Sequence, residues 1–219
     1  MKRLSLIAAT MLALGACASG PPIPDWQMNA KSGLERAVAA YLSGNDRLAN
    51  AEFARARSDM SSSGQFSQVA RAELTRCAAH LASLVLDDCP AFEALRPDAG
   101  APERAYADYL AGHAQAGDAA LLPQAQRALL TVPAEPAITL AAIGDPFSRL
   151  VAAGVLLRSG HASPAVLALA VDTASSQGWR RPLLAWLGTM ALRAEQAGDA
   201  AQAQRLRRRM DLVQEVPAR

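Results

Sequence analysis

Fifty of the 219 residues are alanine and only 5% are aromatic, and this pairing most narrows what the chain can fold into. Alanine has the highest helix propensity, and its small side chain lets helices approach closely. Few β-branched or aromatic side chains are available for a sandwich or barrel. The hydrophobic fraction of 51% therefore overstates the supply of large core side chains. No stretch alternates apolar and polar residues with a period of two, so no strand is expected. The expectation is an all-α fold, long enough to bury a core without metal support.

Glycine, proline and short polar residues punctuate the chain. They place helices at about 30–43, 46–60, 65–86, 102–116, 121–130, 135–143, 146–159, 163–177, 181–197 and 199–214. The turns Gly44-Asn45-Asp46, Gly117-Asp118, Gly144-Asp145-Pro146, Gly160 and Gly198-Asp199 combine helix-stop and helix-start residues. Ser163-Pro164 reads as an N-cap followed by proline in the first turn. The least regular part is 89–101, with Pro90, Pro97 and Gly100. The apolar runs Leu150–Leu157 and Val166–Val171 are far too short to cross a bilayer and read as the most buried helices.

Several breaks share a small-Gly-polar pattern, and Gly44 and Gly117 are 73 residues apart, close to two periods of a two-helix repeat. Ala49, Phe53 and Ala56 follow Gly44 at +5, +9 and +12, while Ala203, Arg207 and Met210 follow Gly198 at the same offsets. This resembles the second half of a tetratricopeptide repeat, over about 28–60 and partly over 181–214. Arg207 departs from the apolar residue the motif wants at +9. The resemblance implies an α-solenoid of helical hairpins, with an irregular helical bundle as the alternative.

At the N-terminus, Lys2 and Arg3 precede an apolar run over Leu4–Ala13 and then Leu14-Gly15-Ala16-Cys17. The segment resembles the signal peptide and lipobox of bacterial lipoproteins. That resemblance implies cleavage after residue 16, acylation of Cys17 and anchoring in a membrane. Ala18 in place of an aspartate implies the outer membrane, with the domain facing the periplasm. An ordinary secretory signal is the alternative. Residues 17–27 then form a tether, in which Pro21, Pro22 and Pro24 favour an extended chain that could reach about 30 Å. Residues 28–219 form one helical domain. Removing residues 1–16 takes away two basic residues and no acid, leaving 20 of each, so the precursor's small positive charge gives no reason to expect nucleic acid as a partner.

With Cys17 lipidated, Cys77 and Cys89 remain, twelve positions apart. In an exported protein they read as a structural disulfide, worth roughly 3 kcal/mol in the chain-entropy model. Two free thiols or a redox pair are the alternatives, although no Cys-x-x-Cys is present. A zinc site would need more nearby ligands than His80, Asp87 and Asp88 offer on sequence grounds.

The search for catalytic groups is mostly negative. His80, His113 and His161 are widely spaced, and no glycine-rich stretch forms a phosphate-binding loop. For glycan cleavage, Asp87 could be paired with Asp88 or Glu93 with Glu103; adjacent acids at a helix end point apart, which makes Asp87/Asp88 the poorer candidate. No cofactor or metal is expected. The candidate interaction surface is Trp179, Arg180 and Arg181 together with the basic run Arg205, Arg208 and Arg209. The resulting expectation is a non-enzymatic scaffold or adaptor that binds another envelope protein. A lipid- or glycan-binding module, with a cavity lined by Val151, Leu167 and Trp186, is the second reading; a cell-wall enzyme is the third.

Overall fold

The computed structural model of the chain describes residues 24–215. The expected signal segment, Cys17 and the tether up to residue 23 lie outside the described residues. Eleven α-helices follow one another, with no strand among the described residues. They are α1 Asp25–Ser43, α2 Asp46–Ser61, α3 Phe66–Ala82, α4 Pro90–Glu93, α5 Ala101–Leu110, α6 Gln124–Arg127, α7 Pro136–Ala141, α8 Pro146–Arg158, α9 Pro164–Ser176, α10 Arg180–Gln196 and α11 Ala200–Gln214. Short 3-10 turns cover Arg96–Asp98 and Ala116–Leu121. The all-α expectation holds.

The expected stops and starts have clear physical causes. Asn45, Asp145, Ser163 and Asp199 each accept a hydrogen bond from a backbone N–H in the first turn of the helix that follows. Gly44, Gly160 and Gly198 all take the left-handed conformation that ends a helix. Three expected boundaries are corrected. The helix over 102–116 ends at Leu110, because Gly112 turns left-handed and His113 N–H returns to the Asp108 carbonyl at 2.8 Å. The helix over 121–130 is broken by Pro123, leaving a 3-10 turn and the single turn of α6. The helix over 65–86 stops at Ala82, and the chain reverses through Leu84 at φ 59°. At the other end, residues 25–27 of the expected tether are helical. Pro24 is extended, and Asp25 places a carboxylate in the first turn of α1.

The central helix is α3, which packs on α1, α2, α5 and α8. Gly154 allows a close crossing of α8 on α3: a Cβ there would lie 2.7 Å from the Leu81 carbonyl oxygen. The expected apolar helices α8 and α9 do carry the deepest core, with Leu150, Val151, Val166 and Leu167 all buried. Repeats stacked only on their neighbours would not bring the two ends together. Here α1 packs on α10, and Trp186 of α10 donates its indole N–H to the Ala82 carbonyl at 3.0 Å. The hairpins α1–α2 and α10–α11 keep the expected small-residue seams: Ala49, Phe53 and Ala56 are buried in the first, Ala203 in the second. In the second hairpin Leu206 fills the seam. Arg207 points outward and pairs with Glu195.

Three buried carboxylates tie the early helices in sequence. Arg36 of α1 reaches Glu52 of α2 at 2.8 Å. Arg57 of α2 reaches Glu73 of α3 at 2.7 Å, and Arg71 of α3 reaches Glu103 of α5 at 2.7 Å. The glutamates are buried while the arginines reach in from the surface.

Candidate binding groove

A hollow of about 270 Å³ opens between α1, α2 and α3. Its origin lies in residue size. Helices α1 and α2 cross closely at Gly33, where a Cβ would meet the Ala56 methyl at 3.0 Å. Around the hollow itself, Ala37, Ala49 and Ala79 stand where larger side chains would fill the space. Leu34, Val38 and Phe53 complete the apolar floor, and Tyr41, Asp46, Asn50, Thr75, Arg76 and His80 make the polar rim.

Most charges on this rim are already engaged. Arg181 of α10 donates Nε to the Tyr41 carbonyl at 2.8 Å and pairs with the Asp46 carboxylate. Its guanidinium also lies 4.2 Å from the Tyr41 ring centroid, a cation–π contact. The Tyr41 and His80 rings are 5.0 Å apart, and His80 Nδ1 is 2.8 Å from Asp87 Oδ2. Burial raises the Tyr41 hydroxyl above the usual tyrosine value; Arg181 opposes the shift, and Asp46 and Asp87 add to it. The Tyr41 phenol is thus a neutral hydrogen-bonding group near neutral pH. Arg76 differs from its neighbours. Its guanidinium lies 4.8 Å from the Phe53 ring centroid, and it has no carboxylate partner among the described residues. The hollow therefore combines an apolar floor with one uncompensated cation.

The fold separates the residues singled out by sequence. Trp179 is half-buried at the start of α10, and Arg180 lies beside the Gly44 turn. Arg181 binds its own chain, as just described. Arg205, Arg208 and Arg209 are exposed on α11 without a side-chain partner among the described residues. Trp179–Arg181 and the α11 arginines therefore sit on different helices. Cys77 and Cys89 are paired at disulfide distance, with their Cα atoms 5.7 Å apart.

The paired-acid candidates have guanidinium partners. Glu103 is held by Arg71 as above, and Glu93 Oε2 accepts from Arg96 Nε at 2.7 Å. The Glu93 hydrogen bond is the main cause that raises the Arg96 pKa. Asp88 accepts from Arg158 at 2.7 Å. His113 borders a polar hollow beside the Asp87–Cys89 segment, while His161 is exposed near Ser159. Val151, Leu167 and Trp186 do not line the expected ligand cavity, because they are packed into the core with at most 2% exposure.

Sequence reasoning placed Phe53 in the helical seam but did not assign Asn50 or Arg76 to a site. Phe53 was legible from its +9 offset from Gly44. Arg76 gave no signal, since nothing in the sequence separates a free arginine from a paired one.

The fold and groove define an all-α helical domain with a small, partly apolar, cation-rimmed hollow near its N-terminal end. No family model matches the chain, and neither a curated protein nor a solved structure is significantly similar to it. Among the described residues, no helix is long and apolar enough to cross a membrane.

Proposed function

We propose that the protein is a lipid-anchored adaptor of the bacterial envelope, whose α1–α3 groove binds a peptide segment of a partner protein. The segment would pair an apolar side chain with a carboxylate one or two residues away. The observation carrying this is Arg76, held over Phe53 on the rim of an apolar hollow while the rim acid Asp46 is paired with Arg181. An apolar anchor would fill the space left by the alanines, and the carboxylate would meet the unmatched guanidinium on the groove's rim. The anchor rests on the residues around Cys17, and the periplasmic setting follows from it.

Site-specific photo-crosslinking in living cells tests this. A photoreactive residue at Asn50 or Thr75 should yield a discrete adduct, and the same residue at Arg208 should not. Arg76→Glu should remove the groove adduct while the protein stays folded, and Cys17→Ala should release the protein from membranes. Identical adducts from the groove and from α11, or a groove adduct indifferent to Arg76→Glu, would overturn the proposal.

A further inference from the structure

Outside the groove, the reversal between α3 and α4 brings together atoms that the sequence keeps apart. Cys77 Sγ, Cys89 Sγ and a carboxylate oxygen of Asp87 all lie within 4.8 Å of one another. Both cysteines are buried, and Asp87 is half-buried. Cys77 is fixed on α3. The chain then leaves that helix, reverses at Leu84 and returns with Cys89 facing Cys77. Leu84 and Cys89 both hold left-handed backbone, at φ 59° and φ 50°. Neither is a glycine, so each conformation costs roughly 1–2 kcal/mol and must be supported by its surroundings.

That support is visible around Asp87. Its Oδ1 accepts the Cys89 backbone N–H at 3.3 Å, and its Oδ2 faces His80 Nδ1 at 2.8 Å. Arg158, from α8, donates to the Asp87 carbonyl at 3.0 Å and to Asp88 Oδ1 at 2.7 Å. The Asp87 carboxylate is thus held beside both sulfurs by a histidine and a backbone amide, while Arg158 braces the Asp87 carbonyl and the neighbouring Asp88. A structural disulfide alone does not require a carboxylate in this position.

We propose that this segment, with its thiols reduced, is a binding site for a zinc-class divalent cation, with Cys77, Cys89 and Asp87 as ligands and His80 as the residue that positions Asp87. Two thiolates and one carboxylate suit a soft-to-borderline ion that prefers four-coordinate geometry, and the fourth place is left to water. The 5.7 Å Cα separation serves a bridged pair and leaves the two side chains close enough to share an ion. The disulfide and the metal are alternative states of the same two sulfurs. Reopening the bridge takes two electrons and two protons from a dithiol reductant, which itself becomes a disulfide. Binding M²⁺ to the two thiols then forms two metal–sulfur bonds and releases two protons. The bound site would carry about one net negative charge. The inference does not rest on the groove.

The test uses the purified full chain, reduced with a phosphine under oxygen-free conditions and titrated with Co²⁺. One cobalt per chain should bind, with a thiolate-to-metal charge-transfer band that Zn²⁺ abolishes. The oxidised chain should bind none. Asp87→Asn should weaken binding by tenfold or more while leaving circular dichroism unchanged, and Asp88→Asn should not alter it. His80→Gln should weaken binding by about tenfold or more without removing the charge-transfer band, as expected for a group that orients a ligand. Less than a tenth of an equivalent bound by the reduced chain would overturn the proposal. So would Asp87→Asn binding like the parent, or equally tight binding by the chain in denaturant.

Discussion

Between α1 and α5, guanidiniums reach from one helix to buried carboxylates on a later one, whereas α8, α9 and α10 meet mainly through leucine, valine and Trp186. The difference follows side-chain supply. Half of the buried positions of α1 and α2 are alanine, with Leu42, Phe53 and Met60 as the larger apolar side chains. Alanine removes little apolar area from water, and area sets the size of the hydrophobic term. Methyl groups also slide past one another with little energetic preference for one register. A buried carboxylate meeting an arginine does not slide. Across α8 and α9, larger apolar side chains interdigitate, and Thr173 is the buried polar side chain there. We expect the first region to depend on pairing and the second on volume.

The largest effect should come from removing volume. Trp186→Ala deletes a fully buried indole and its hydrogen bond to Ala82, and should cost about 3–5 kcal/mol in a denaturant titration. A loss below about 1 kcal/mol would mean that the α10 contact with α3 contributes little to the fold. Next comes pairing. Arg57→Ala strands the buried Glu73 carboxylate and should cost about 2–4 kcal/mol, toward the low end because water can reach the half-exposed arginine side. Combining Arg57→Met with Glu73→Leu should recover most of that loss. If the double variant were as unstable as the single, the pair would not be acting as a unit.

Gly154→Ala should cost about 1–3 kcal/mol despite the better helix propensity of alanine, because the new methyl meets the Leu81 backbone. A stabilised variant would show that α8 can move away from α3 freely. The smallest change is Tyr109→Phe, worth about 1 kcal/mol, since the buried phenol donates to Gln126 Oε1 at 2.8 Å. Tyr109 also sharpens the comparison through pH. Burial raises its pKa, with Tyr106 adding to the shift, so the native state resists ionising it. A raised folded pKa leaves this contribution fully present below the unfolded value of about 10 and erodes it above that. Stability should therefore hold from neutrality to about pH 10 and fall beyond it, and Tyr109→Phe should flatten that alkaline fall.

Much of the architecture was legible. Fifty alanines without period-two alternation left helices as the solution, and Asn45, Asp145, Ser163 and Asp199 marked starts that the backbone uses. Two of the three misplaced boundaries turn on left-handed residues, and the third on Pro123. Gly112 was passed over in favour of Gly117, and no glycine marks the end of α3, where Leu84 takes the left-handed turn. Propensity cannot signal a conformation that tertiary contacts impose. The candidate surface fared similarly: Arg181 is ion-paired within the chain, while Arg205, Arg208 and Arg209 are not. Those outcomes depend on neighbours far along the chain, such as Asp46 for Arg181.

The sequence by itself determined the helical class, most of its punctuation and the seam residues of the two terminal hairpins. These properties are local, because propensity, caps and close helix crossings involve residues within a turn or a hairpin. Only the tertiary structure decided that α1 meets α10, that three glutamates are buried against arginines, and that Arg76 stands unmatched over Phe53. It alone brought Asp87 beside both Cys77 and Cys89. Burial and charge pairing are properties of an environment, and residues up to 140 positions apart in sequence build that environment here.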